Sequence, residues 1–218
     1  MKKIILTILF LLIFTLKSNA DVTPQYLSSV AHWGIGVASV GKNIKIYEEN
    51  NSKSKVKAQI IWDETGELEC KSTNMSCEAR EMFLGFAPSN NVALFSVEDE
   101  TDEWIQICYN QRFRLFGWIK KDNNTKYLSW GEFILSYGKK YVMYLFRDVP
   151  KSYKTLYASP DTASPSVDSF FLATHINPWL IRGNWVLVKV ENYDDTQKMG
   201  WLRFRSDTGR LFGFVNLK

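Results

Sequence analysis

The chain has 218 residues, with 27 Lys and Arg against 23 Asp and Glu, a formal charge of +4. Three of the positive charges, Lys2, Lys3 and Lys17, belong to the first segment, and without it the balance is 24 to 23. A near-neutral remainder with no basic stripe gives no electrostatic reason to bind nucleic acid.

That first segment, Met1 to Ala20, has the three parts of an export signal: Lys2-Lys3, an apolar run from Ile4 to Leu16, and small residues at Ser18-Asn19-Ala20. The run of 13 residues is shorter than the roughly 20 that cross a bilayer, and no cysteine follows it to take a lipid. Cleavage near Asp21 is therefore expected, with no stable membrane anchor afterwards and an oxidising destination, periplasmic or secreted.

Beyond the leader, short β-branched and aromatic runs bounded by Gly, Asn, Asp and Ser recur, and no long helical period does. Gly34-Ile35-Gly36 with Gly41 lacks nucleotide-loop spacing and reads as a twisted first strand. Strands are predicted at Ile44 to Tyr47, Ala58 to Trp62, Val92 to Val97, Trp104 to Tyr109, Phe116 to Ile119, Tyr141 to Phe146, Trp185 to Val190, Trp201 to Phe204 and Phe212 to Val215. Short helices are expected at Glu78 to Phe83 and Lys126 to Leu135. Three cysteines allow three pairings, and Cys108 could replace either partner; the polar stretch between Cys70 and Cys77 is short enough to bring those two together, and that pair is expected.

The chain also resembles itself. Trp104-Ile105-Gln106-Ile107 followed by Gly117-Trp118-Ile119 matches Trp185-Val186-Leu187-Val188 followed by Gly200-Trp201-Leu202. Ile46-Tyr47 with Asn51-Ser52 matches Leu156-Tyr157 with Pro160-Asp161, and Trp118 to Leu128 has the spacing of Trp201 to Leu211. A competing register sets Arg114 to Ile119 on Arg210 to Val215, and both stay open. In the first register Tyr47 and Trp104 are 57 positions apart but Tyr157 and Trp185 only 28, so the first half carries 29 extra residues. That insertion, at about 63–91, contains Cys70 and Cys77 and reads as a polar loop with little to bury; closing it by a disulfide restrains its unfolded state by about 2 to 3 kcal/mol.

A Tyr-containing strand, a polar turn, a Val-rich strand, then Trp-x-x-Val, a turn and Gly-Trp, twice over, resembles the bacterial SH3-like module, a small five- to six-strand barrel of exported proteins. The second half fits better, through Leu156-Tyr157-Ala158-Ser159-Pro160-Asp161, Gly183-Asn184-Trp185-Val186 and Gly200-Trp201-Leu202. The resemblance implies an all-β protein of two small SH3-like barrels in tandem. Its parts would be a signal peptide at 1–20, a first module at 21–125 with the insertion, a connecting segment at 126–150 and a second module at 151–218. It further implies a non-catalytic binding protein whose ligand is cell-wall peptidoglycan or a periplasmic protein, with Tyr47 and Trp104, and Tyr157 and Trp185, as ligand-binding residues. The alternative is an inhibitor or assembly factor acting on a secreted partner through the Cys70 to Cys77 loop.

Catalytic sets are not apparent. A Cys nucleophile needs a His to take its proton, and the only histidines are His32 and His175; Cys108 sits mid-strand with nothing local to depress its pKa. Two isolated histidines make no zinc site, and the acidic groups Asp99 to Glu103 and Asp194-Asp195 lack a calcium-loop pattern, so no metal and no cofactor is expected. The remaining surplus is aromatic, 8 Trp, 10 Tyr and 14 Phe, available either to fill a core or to line a groove.

Overall fold

The computed structural model describes residues 33–72, 77–170 and 173–217; the export segment Met1 to Ala20 and His32 lie outside them. Strands dominate. The first half holds β1 (Gly36–Ser39), β2 (Asn43–Tyr47), β3 (Val56–Trp62), β4 (Leu68–Lys71), the single helical turn α1 (Ala79–Met82), β5 (Gly85–Ala87), β6 (Val92–Glu100), β7 (Trp104–Asn110), β8 (Leu115–Lys120) and β9 (Lys126–Ser129). Helix α2 (Trp130–Tyr141) leads to β10 (Met143–Leu145), β11 (Thr155–Tyr157), β12 (Ser166–Ser169), β13 (Ala173–Arg182), β14 (Trp185–Asn192), β15 (Gln197–Arg203) and β16 (Gly213–Val215).

These strands form two antiparallel sheets, ordered β4-β3-β2-β8-β7-β6-β1-β9, with β5 on β6, and β12-β11-β15-β14-β13-β10-β16. Without β4 and β5, the two orders are the same arrangement. Registers agree as well. Tyr47 lies opposite Trp118 and Tyr157 opposite Trp201; Ile107 lies opposite Gly117 and Val188 opposite Gly200. The Tyr strands are irregular at the same point, between Ile46 and Tyr47 and between Leu156 and Tyr157. This selects the register that pairs Trp118 with Trp201. The competing one fails because β16 lies beside β10, in the place that β9 takes beside β1.

Two details of the repeat are corrected. The turn at 48–55 matches that at 158–165 one residue further along: Asn51 Oδ1 accepts from Lys53 N at 3.0 Å as Asp161 Oδ1 accepts from Ala163 N at 2.9 Å, so Asn51 answers to Asp161, not Pro160. Leu128 lies in β9 opposite Val37, whereas Leu211 lies outside β16 in a bridge to Arg205, because the loop after β15 is longer than the one after β8.

Neither strand order returns to its starting strand, so neither sheet closes into the barrel expected from the sequence. Closure needs the two edges to pair. In the first sheet the outer edge of β3 is occupied by β4, while α2 packs on β9 and β16, the other edge of each sheet.

Alternation sets the cores. In β3 (eiBiBiB) Ala58, Ile60 and Trp62 point inward, and in β14 Val186, Val188 and Val190 do the same. Strand β6 is apolar on both faces because it divides two cores: Ala93, Phe95 and Val97 face one within the first half, and Val92 and Leu94 face another shared with the second half. Trp33 is central to the shared core, stacked on Phe146 and Phe214 and edge-on to Trp130 at centroid distances of 5.4, 5.8 and 5.6 Å. The carbonyl of Gly34 accepts from Trp130 Nε1 at 3.3 Å and Arg205 Nη2 at 3.1 Å, joining the segment before β1 to α2 and to the loop after β15.

The insertion also differs from expectation. Its first part is polar, yet Met82, Phe83, Leu84, Phe86 and Ala87 are all buried, with Phe83 and Phe86 stacked at 4.6 Å. Two exposed phenylalanines would forfeit several kcal/mol of apolar transfer, so β5 and α1 fold inward as core elements. The expected disulfide between Cys70 and Cys77 is present, linking β4 to the entry of α1. Residues 126–150 hold β9, α2 and β10, and the helix begins at Trp130, four residues later than predicted.

Candidate functional site

The two predicted aromatic pairs occupy equivalent places. Tyr47 meets Trp104 edge-to-face at 5.5 Å and 87°; Tyr157 meets Trp185 at 5.4 Å and 86°. Glycine permits this geometry. A Cβ on Gly200 would lie 2.8 Å from Leu156 Cβ and 3.2 Å from the Tyr157 carbonyl oxygen, and one on Gly117 would strike Ile46 and approach the Tyr47 carbonyl oxygen at 3.0 Å. The residue before each Gly-Trp tryptophan must therefore lack a side chain if the Tyr strand is to lie this close.

The pairs differ in access. Trp104 is 7% exposed, whereas Tyr157 and Trp185 are half-buried and line a cavity of about 190 Å³ with Tyr153, Thr155, Thr162 and Arg203. Tyr153 comes from the turn before β11, and Thr162 from the loop between β11 and β12, where Ser159 N donates to Ser164 Oγ and Ala163 N to Asp161 Oδ1. Arg203 lies opposite Trp185 in the β14–β15 ladder, its guanidinium 5.9 Å from the indole centroid. It is held by Asp207 at 2.7 Å and donates to the Arg205 carbonyl at 3.3 Å. Hydrogen bonds from Arg203, then Asn184, keep the Asp207 carboxyl below the usual carboxylate range. The site thus offers aromatic faces, hydroxyls and one oriented cation in a recess too small for a drug-sized ligand, which needs roughly 300 to 1,000 Å³. One sugar ring or one side chain is the scale it accepts.

The first-half counterpart of Arg203 is Lys120, opposite Trp104, which extends towards Glu103 at 4.0 Å. Tyr153, Thr155, Thr162 and Arg203 escaped the sequence reading. Only Arg203 had a signal there, since a Trp-x-x-Val strand paired with a Gly-Trp strand puts it opposite Trp185.

Other candidate groups do not assemble. Cys108 is 3% exposed, and burial, with Glu98 nearby, pushes its thiol up to about 12, so thiolate is scarce at neutral pH. His175 is exposed and 3.6 Å from Glu191. The acidic turn is ion-paired, Glu100 with Lys121 and Glu103 with Lys120. Among the described residues no three His, Cys, Asp or Glu side chains converge as metal ligands would. None of the described helices is long and apolar enough to cross a membrane, and the disulfide fits an oxidising environment.

Comparison with known proteins finds no family model that matches the chain and no similar curated protein.

Proposed function

We propose that the chain is an exported, non-catalytic binding protein of the bacterial periplasm or cell exterior, built from two divergent SH3-like units, whose ligand is cell-wall peptidoglycan held at the Tyr157–Trp185 cavity. The cavity carries the reading: two half-buried aromatic faces at right angles beside hydroxyls and an oriented guanidinium suit a ring with one apolar face and a polar rim. The leader at Met1 to Ala20 and the disulfide support the compartment. Co-sedimentation with purified peptidoglycan sacculi at low salt tests it. Wild type is expected in the pellet and Trp185→Ala in the supernatant; wild type remaining soluble overturns the glycan reading.

A second reading, an inhibitor or assembly factor acting through the Cys70–Cys77 region, is favoured by one observation: β4, cross-linked through Cys70, is the outermost strand of its sheet and a template for a partner's strand. Removing Glu67 to Glu81 would damage the fold, because Glu81 is 3% exposed and ion-paired to Arg112 at 3.0 Å. Charge reversal at exposed Glu69 and Lys71 is the cleaner test. It leaves sacculus binding intact and abolishes a partner interaction made through β4.

A further inference from the structure

The Tyr157–Trp185 cavity takes only one unit of a polymer, and the sheet that carries it continues as an apolar face. Cross-strand pairing sets Tyr157 opposite Trp201, Trp201 opposite Leu187 and Leu187 opposite Leu180, a row over four strands. Arg182 covers Trp201 at 5.6 Å. The row ends at a bulge in β13 between Pro178 and Leu180, where Trp179 and Leu180 are 56% and 44% exposed. Met199, opposite Lys189 in the next row, is 48% exposed. The first sheet has the same bulge in β6, between Val97 and Asp99, and there carries Glu98 and Asp99. One bend in the shared fold thus displays acid in one unit and a Trp–Leu pair in the other. A bulge re-aims side chains, and a large apolar pair left in water is the form a contact surface takes.

Beside Trp179 lies an open hollow of about 490 Å³ lined by Lys139, Asn177, Pro178, Trp179 and Lys189. Helix α2 delivers Lys139 there because Gly138 lets it close on β13; a Cβ at that position would be 2.6 Å from Pro178 Cγ. The charges lining the hollow are Lys139, from the last turn of α2, and Lys189, with Glu191 3.7 Å from Lys189 and 3.6 Å from His175. Cations predominate. Along β14, Lys189 stands four residues from Trp185, about 13 Å at ~3.3 Å per residue.

We propose that this hollow is a second contact for the same polymer and receives a carboxylate-bearing unit of it, with Trp179 as the flat platform and Lys139 and Lys189 as counter-charges. The inference rests on the reading of the Tyr157–Trp185 cavity as a wall-binding site. It is tested by titrating sacculi with wild type, Trp185→Ala, Trp179→Ala and the double variant Lys139→Glu/Lys189→Glu, and by repeating the titration with sacculi whose carboxylates have been amidated. These side chains are at the surface, and circular dichroism checks that each variant folds. Trp179→Ala and the double variant are expected to weaken binding about tenfold each. The double variant, its charge reversed, should also invert the salt dependence of wild type and bind amidated sacculi better than native ones. Patch variants that bind as wild type, while Trp185→Ala does not, overturn the second contact and leave the cavity reading standing. Wild type that fails to sediment removes the cavity reading and this extension with it.

Discussion

Gly117 and Gly200 show how much one missing methyl group decides. Each lies beneath the carbonyl of a Tyr strand, and the close approach it allows brings Tyr47 onto Trp104 and Tyr157 onto Trp185. Cys108 is the opposite case, a reactive group made inert by its place. Opposite Ser96 and Phe116 in the middle of the first sheet, it is closed to solvent, and burial raises its pKa to about 12. A thiol reagent at pH 8 is therefore expected to find no reactive thiol in the native oxidised protein and one per chain in guanidinium. Rapid native labelling would place Cys108 outside the core.

At the level of elements, α2 has the clearest local cause. Ser129 Oγ accepts from Glu132 N at 3.3 Å, and the Glu132 carboxylate accepts from Ser129 N at 2.9 Å, a capping box. Ser129→Ala is expected to cost about 1 kcal/mol, read as a lower urea midpoint. The hydrogen bonds from the Ser129 hydroxyl, then its backbone N–H, hold Glu132 below the usual glutamate range. A folded-state pKa below the unfolded one stabilises above the unfolded value and is lost as pH falls through the folded value. The difference between wild type and Glu132→Ala should thus shrink below about pH 4, and a constant difference would deny the cap its charge. The Ser129-Trp130-Gly131-Glu132 pattern was readable beforehand as a helix start, yet the expected helix began at Lys126, because the apolar residues of β9 blend into its period. Strand β13 was unreadable for another reason. Pro178 argues against a strand, and it stands beside a bulge in the β13–β14 ladder, where a residue without an N–H is tolerated.

On the scale of the whole molecule, part of the aromatic surplus joins the halves. Trp33, Trp130, Phe133, Phe146 and Phe214 belong to one cluster that also takes Val37, Leu84 and Leu94 from the first sheet and Val186 and Leu202 from the second. Two units sharing a core unfold together. Calorimetry is expected to give one transition whose van't Hoff and calorimetric enthalpies agree. Trp33→Ala, which empties the centre of the cluster, should destabilise by about 3 to 5 kcal/mol and split or broaden that transition. Two separate transitions in wild type would show that the shared core couples the halves weakly.

Alternation in β2, β3 and β14, the turn residues and the paired Trp and Gly-Trp signals were sufficient to read an all-β chain with an internal repeat, because strand period and turn chemistry act over a few residues. The Cys70–Cys77 link was legible for the same reason, being a contact across 7 positions. What needed the tertiary structure was every contact made at long range. Phe83 and Phe86 were hidden in an apparently polar insertion until Trp62 and Phe95 closed over them. The choice between Trp104, buried, and Trp185, beside a cavity, turns on what the surrounding loops and strands place around two nearly identical pairs. Periodicity says which way a side chain points, and only packing decides what it meets there.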